Sequence, residues 1–427
     1  MDVRRTLTNA FQAVAIRVLL FVERVQTGVT FNPLEQRHRD HPYPQYRKLR
    51  SSDPFHRSRL VNGWVLTRHE DISAVLRDGR FLVDGRKHPA YEKRRTQMAK
   101  AAGMPEDADN TPSMLTLDPP DHTRLRTLVS KTFTPRSVEA LRPRVEAIVR
   151  EQLDRVEANG CMDVIGDLAN PLPVIVIAEL LGIPIEDREQ FRHWSDEVIL
   201  SLGTGTPENV RRSIAASHEL RTYFERIAEE RRREPKEDLL SALLAAEEAG
   251  DRLSMEEVFS TCILLLVAGN ETTTNLIGNG LLALLRNPQQ LELLRDDPSL
   301  AQNAVEELLR YDSPVQMTIR FTAEDATLDG HVVKAGQQVV LLLGAANRDP
   351  GHFEDPERLD ITRQEIDHLS FSNGVHFCLG APLARLEAQV ALPALLERFP
   401  KLKLATETLE WSDNPILRGL KELPVTF

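Results

Sequence analysis

Apolar residues recur at spacings of three and four through most of this chain, and period-two runs are confined to two short places. Residues 138–157 (VEALRPRVEAIVREQLDRVE), 218–233, 254–286 and 300–311 each carry the helical period, so each can bury one stripe. Strand character appears in GWVLTR (63–68) and through IRFTAEDATLDGHVVKAGQQVVLLLGAA (319–346), where Gly330 and Gly336 mark turns. This distribution predicts a mainly α protein, a large helical lobe with a small β-rich lobe. No internal repeat or low-complexity linker divides the 427 residues. They read as one domain, 31–427, behind a distinct N-terminal segment, 1–30.

That segment has two readings. Leu7, Phe11, Val14, Val18, Val22 and Val25 share one helical face, and Arg4, Arg5, Arg17 and Arg24 outnumber Asp2 and Glu23. Arg17 breaks the apolar run below the roughly 20 residues needed to span a bilayer, and no convincing cleavage site for a signal peptide follows. A helix packed on its own domain is one reading; a weak association with a membrane surface is the other. Three cysteines, Cys161, Cys262 and Cys378, are too few for a disulfide framework and fit a reducing cytoplasm. The net charge of −11 excludes a dominant basic surface, and with it nucleic-acid binding. GTGTPEN, within 202–210, lacks the third glycine and the strand-turn-helix setting of a dinucleotide fingerprint.

FSNGVHFCLG (371–380) sets a cysteine between glycines, two residues after a histidine. Zinc would need more sulfur ligands than the chain offers, and no family-specific signature of a nucleophilic enzyme surrounds it. A thiolate ligand to haem iron is a third option. Gly374 and Gly380 allow close backbone approach. The helix opening at APLARLEAQ, with Pro382 in its first turn, turns its positive end toward Cys378. His376 is placed to reach a carboxylate of the macrocycle. The pattern F-x-x-G-x-H-x-C-x-G resembles the haem-ligand signature of the cytochrome P450 family, and Phe371, Gly374, His376, Cys378 and Gly380 match it. Ser372 stands where many members of the bacterial soluble branch have glycine.

Two further stretches extend the resemblance. AGNETT (268–273) interrupts the apolar run of 254–286, a helix that opens with Ser254 and Glu257 at capping-box spacing. A solvent-facing polar strip is one explanation. The other is a threonine hydroxyl bonded to the carbonyl of Ala268, loosening a turn, with Gly269 clearing room for a flat cofactor. The stretch is similar to the family's acid–alcohol pair, which implies that Glu271 and Thr272 deliver protons for breaking the O–O bond. In EELLR, Glu307 and Arg310 share a helix face. The resemblance implies a buried triad of these two with Arg358 of DPERLD, where Leu359 replaces the usual phenylalanine. It also implies that His122 and Arg126 of DPPDHTRLR, together with Arg320 and His376, grip the haem carboxylates.

The implied protein is a P450 fold with haem b between the lobes and Cys378 as iron ligand. It is a monooxygenase, expected to be a monomer, that inserts one atom of O2 into an apolar substrate. Its electrons come from a separate ferredoxin or flavodoxin with an NAD(P)H reductase. Lys131, Arg136 and Arg385 are candidates for a basic docking patch facing that carrier. Val267, Ala268, Val315, Met317, Ile416 and Leu417 are candidates for an apolar lining, matching fatty acids, terpenoids, steroids or macrolide-like polyketides. A peroxide-using or isomerising haem-thiolate enzyme, and a non-catalytic haem-binding protein, are the alternatives.

Overall fold

The computed structural model describes residues 3–87, 93, 96, 100, 113–200, 206–248 and 253–427. Its axis is the helix Met255–Arg286. Ser254 Oγ accepts the Glu257 N–H at 3.3 Å, and the Glu257 carboxylate accepts the Ser254 N–H at 2.9 Å, so two orphan donors of the first turn are satisfied. The helix then runs through the core. Helices Pro171–Leu181, Arg188–Ile199, Ala301–Tyr311 and Ala381–Arg398 pack around it. Its residues Asn270, Thr274 and Asn279 are buried. Asn270 donates to Ser195 Oγ at 3.2 Å, Thr274 to the Ala169 carbonyl at 3.0 Å, and Asn279 to the Arg418 carbonyl at 2.9 Å. These three donors are thereby matched by neighbouring elements.

Two helical boundaries differ from the periodicity. The stretch 138–157 is two helices, Pro135–Glu139 and Arg142–Val156. Pro143 has no N–H to give and its ring collides with the preceding turn, so the helix restarts with Pro143 near its N-terminus. The stretch 218–233 begins earlier, at Pro207, because Thr206 Oγ1 caps the Asn209 N–H at 3.2 Å.

The β-rich lobe follows from the two strand-like regions. Strands β1 (Phe55–Ser58), β2 (Gly63–Leu66) and β3 (Phe81–Leu82) precede the helical lobe, and β4 (Cys161–Asp163) lies within it. Strands β5 (Thr318–Thr322), β6 (Ala326–Leu328), β7 (His331–Val333) and β8 (Gln338–Leu341) follow. The last two are β9 (Lys403–Leu404) and β10 (Pro424–Thr426). The main sheet runs β1-β2-β8-β5-β3, with β2 and β8 parallel. Gly330 and Gly336 adopt φ of +76° and +75° at the turns around β7. The strand-like run stops at Leu341, and Leu343–Ala346 forms a helical turn.

Glu307 and Arg310 are fully buried and joined by two bonds, Nε to Oε2 at 2.7 Å and Nη2 to Oε1 at 2.8 Å. The third cation is Arg363, whose Nε lies 3.1 Å from Glu307 Oε2, and not Arg358. Arg358 points outward, 63% exposed and paired with Asp360, and supplies only its carbonyl to Arg310 at 3.0 Å. The Asp360 N–H occupies Glu307 Oε1 at 2.9 Å, which brings the chain around so that Arg363 approaches the same carboxylate. Replacing Arg363 by alanine is expected to destabilise the protein by about 1–3 kcal/mol. Arg358→Ala should stay within roughly 0.5 kcal/mol of the parent. Denaturant titrations of the two variants check the order.

Candidate active site

The loop 371–380 is held by few local contacts, each visible in its residue types. The Cys378 N–H donates to the Phe371 carbonyl at 2.9 Å, closing the loop on itself. Asn373 Oδ1 takes the Gly374 N–H at 2.7 Å. Gly374 sits at φ +68°, and a Cβ there would lie 2.4 Å from the Leu76 carbonyl oxygen, so only glycine fits. Ser372 also adopts a left-handed φ, +63°, at a cost of about 1–2 kcal/mol that a glycine would avoid. Phe371 is buried beneath the loop, with the Arg385 guanidinium 4.6 Å from its ring centroid.

Cys378 is an accessible thiol. Burial among protein atoms pushes its pKa up. The N–H groups of Gly380 and Ala381, at the start of helix Ala381–Arg398, and the charges of Arg126 and Arg385 oppose that shift. The donor set favours sulfur with negative charge, and a bound metal cation would complete it.

Four basic side chains converge beside this loop. His122 and Arg126 come from helix Asp121–Ser130, Arg320 from β5, and His376 from the loop itself. The His122 and His376 rings lie 4.3 Å apart. Burial, then the neighbouring His122 and Arg320, drives the His376 pKa down to about 4. Burial likewise lowers Arg320 to about 10. His122 Nδ1 and His376 Nε2 are buried without a hydrogen-bond partner among the described residues. So many mutually repelling donors, opposed mainly by Asp118, are the environment an anionic group would neutralise.

The central helix supplies a complementary surface. Ala268 is exposed in the middle of a helix whose other apolar residues are largely buried, and a Cβ on Gly269 would meet no atom within 4 Å. Thr272 Oγ1 donates to the Ala268 carbonyl at 2.7 Å, while the helix stays continuous through this turn. Burial, reinforced by the charge of Asp196, raises the Glu271 carboxyl to about pKa 7, against an amide contribution from Asn275. Gly380 also has open space where a side chain would project. A flat, dianionic macrocycle whose metal takes a sulfur ligand fits these residues.

A family model described as Cytochrome P450 matches residues 65–421. The chain belongs to the cytochrome P450 family. It is a monooxygenase, and it binds haem b through a cysteine thiolate. Cytochrome P450 CYP107DY1 of Priestia megaterium is 47% identical over 377 residues, 86% of this chain and 90% of its own. The 6-deoxyerythronolide B hydroxylase of Saccharopolyspora erythraea is 43% identical over 391 residues, covering 90% and 95%. Among solved structures, P450BioI in complex with hexadec-9Z-enoic acid ligated acyl carrier protein superposes with a TM-score of 0.84. It is 42% identical and covers 91% of this P450 and 99% of its own chain.

Other expected residues divide. Ile199, Val267 and Leu417 form a buried apolar cluster, against which Val315 and Ile416 pack. Met317 instead joins Phe31, Val65 and Val340 in the core of the small lobe. Arg385 is not a free docking cation, because its Nε and Nη2 engage the Glu306 carboxylate, at 2.6 and 2.8 Å. Asp196, whose charge bears on Glu271, carries no local motif, since it reaches the central helix from Arg188–Ile199. Below about pH 7 Glu271 is protonated and able to donate; above it, the carboxylate is not. Product formed per electron pair should therefore decline as pH rises through about 7, and Glu271→Gln should remove that limb of the profile.

Proposed function

We propose that this P450 hydroxylates an apolar substrate of the polyketide or lipid class, with Cys378 as the thiolate ligand. We further propose that residues 31–427 act as one P450 domain in the cytoplasm. The observation carrying the reading is the apolar wall of Ile199, Val267 and Leu417, one residue along the helix from the exposed Ala268. Haem, when bound, supplies the activation of O2 and the oxidation of an unreactive C–H bond. The protein's own residues supply position, dryness and protons. His122, Arg126, Arg320 and His376 bind the two carboxylates of the macrocycle. Phe371, Gly374 and Gly380 shape the loop that presents sulfur, and Ala268 and Gly269 leave the facing surface open.

Glu271 holds a proton on its carboxyl in a dry setting, and the Thr272 hydroxyl stands one residue away to orient the transfer. Retention of this pair favours O2-dependent chemistry over a peroxide-using or isomerising relative. Sequence similarity to a macrolide-core hydroxylase and structural similarity to an enzyme crystallised with a fatty acyl group support a large apolar substrate. An absorbance titration of the ferric protein against macrolactones, steroids and fatty acids tests it. A low-to-high-spin shift is expected with one class. A shift only with acyl chains tethered to a carrier protein would replace free substrates by carrier-bound ones, and a shift only with polar ligands would overturn the reading.

Electrons are proposed to come from a ferredoxin or flavodoxin and its reductase. Lys131 and Arg136 are exposed, and the helix Pro135–Glu139 packs against Ala381–Arg398, which follows the cysteine loop. The double charge reversal Lys131→Glu, Arg136→Glu is expected to slow reduction by an acidic ferredoxin about tenfold at low salt and to flatten its salt dependence. Stopped-flow reduction at several ionic strengths measures both. An unchanged salt dependence would remove these two residues from the docking face.

A further inference from the structure

The N-terminal helix Val3–Thr27 is attached to the protein by the side that an amphipathic helix ordinarily leaves in water. At about 100° per residue, Val14, Val18, Phe21 and Val25 fall within an arc of roughly 60°. They are 57%, 55%, 68% and 70% exposed. Glu23 lies on the opposite side of the helix and is 1% exposed. Its carboxylate accepts the N–H of Phe31 at 2.8 Å, the N–H of Arg59 at 2.6 Å and the hydroxyl of Ser58 at 3.1 Å. It also meets His56 Nε2 at 2.9 Å. Four partners on one buried carboxylate fix the rotation of the helix about its axis, so the apolar arc is held outward by a polar anchor.

The charges on the same stretch select what covers that arc. Within residues 14–27 the only acidic side chain is Glu23, and it faces inward. The cations Arg17 and Arg24 are exposed and lie together along one edge of the arc. We propose that this helix docks on a membrane surface of anionic lipid, with Val14, Val18, Phe21 and Val25 entering the acyl boundary and Arg17 and Arg24 meeting headgroup phosphates. The spacing of the four apolar residues would also suit a paired helix. A second copy, however, offers Arg17 and Arg24 no acid. Parallel pairing sets Arg17 against Val22, and antiparallel pairing sets Arg17 against Arg24. Among the described residues no helix is long and apolar enough to cross a membrane, so the contact is peripheral.

Co-sedimentation of the full-length holoenzyme with vesicles tests the assignment. Vesicles of phosphatidylglycerol and phosphatidylcholine are expected to pellet the protein, and pure phosphatidylcholine vesicles to pellet at least tenfold less. Val18→Asp with Phe21→Asp should abolish pelleting, and Arg17→Glu with Arg24→Glu should remove the preference for the anionic lipid. Both pairs are solvent-facing, and an unchanged reduced carbon monoxide spectrum shows that the variants remain folded with haem. Wild-type protein that ignores both vesicle types, or an aspartate pair that binds like wild type, overturns the proposal. A concentration-dependent dimer in sedimentation velocity that the aspartate pair dissolves, without vesicle binding, would assign the face to a second copy.

Discussion

The buried pair of Glu307 and Arg310 organises the ground on which the cysteine loop stands. Its own two bonds are the smaller part of the effect, because taking both charges out of water costs nearly as much as their attraction returns. The reach of the guanidinium matters more. Arg310 also donates to the carbonyls of Asn347 at 2.9 Å, Pro356 at 2.8 Å and Arg358 at 3.0 Å, three points on a segment with little regular structure. Asn347 then takes the Leu369 N–H on Oδ1 at 2.8 Å and donates to Ser370 Oγ at 2.8 Å. Ser370 Oγ returns to the Leu309 carbonyl at 2.7 Å, one residue before Arg310. The circuit closes at the residue before Phe371. Loop geometry is thus set from a helix in the protein interior, and a half-satisfied version of this network would be worse than none.

The second organising constraint is electrostatic. Four basic side chains are brought together from a helix, a strand and a loop, where burial works against all four charges and repulsion by neighbouring cations adds to it at His122 and His376. Such an arrangement opposes folding by itself, and a group that neutralises it stabilises the folded state by binding only there. On the proposed reading that haem carboxylates bind these four residues, haem retention and fold stability are coupled. The two faces of the site differ accordingly, with N–H donors beside the Cys378 sulfur next to the four basic side chains, and an open, nearly featureless surface at Ala268 and Gly269.

Parts of this were legible in the sequence because they are local. The left-handed Gly374, the hydroxyl of Thr272 on the carbonyl four residues back and the reciprocal cap of Ser254 with Glu257 each need only a few neighbouring residues. The convergence of His122, Arg126, Arg320 and His376 was not readable from spacing; it came from the family resemblance, and the contacts now give it a physical cause. Choices between nearby candidates were not legible. Arg358 and Arg363 are five residues apart, and which one reaches Glu307 depends on how the backbone turns at Asp360. Val315 and Met317 are two residues apart and would share a face on a regular strand, but the segment before β5 is irregular, so Val315 packs on the cluster of Ile199, Val267 and Leu417 while Met317 joins the small-lobe core. The helix break before Pro143 was not read, because the apolar period running through 138–157 concealed what proline chemistry imposes there.

The N-terminal helix shows the same limit from the other direction. Its period announces an apolar face but cannot say which way that face points, and the choice is made by one carboxylate with partners some thirty residues away. In the catalytic site, by contrast, a single environment settles two properties together. Glu271, raised toward neutrality by burial, lies one helical turn from Val267, which packs in the apolar cluster with Ile199 and Leu417. A pocket polar enough to keep Glu271 ionised would also disfavour an apolar guest, and one dry enough to admit that guest keeps a proton on the carboxyl. Under the proposed roles, substrate class and proton supply are therefore not independent choices: each substitution that wets the surroundings of Glu271 and Val267 would shift both in the unfavourable direction.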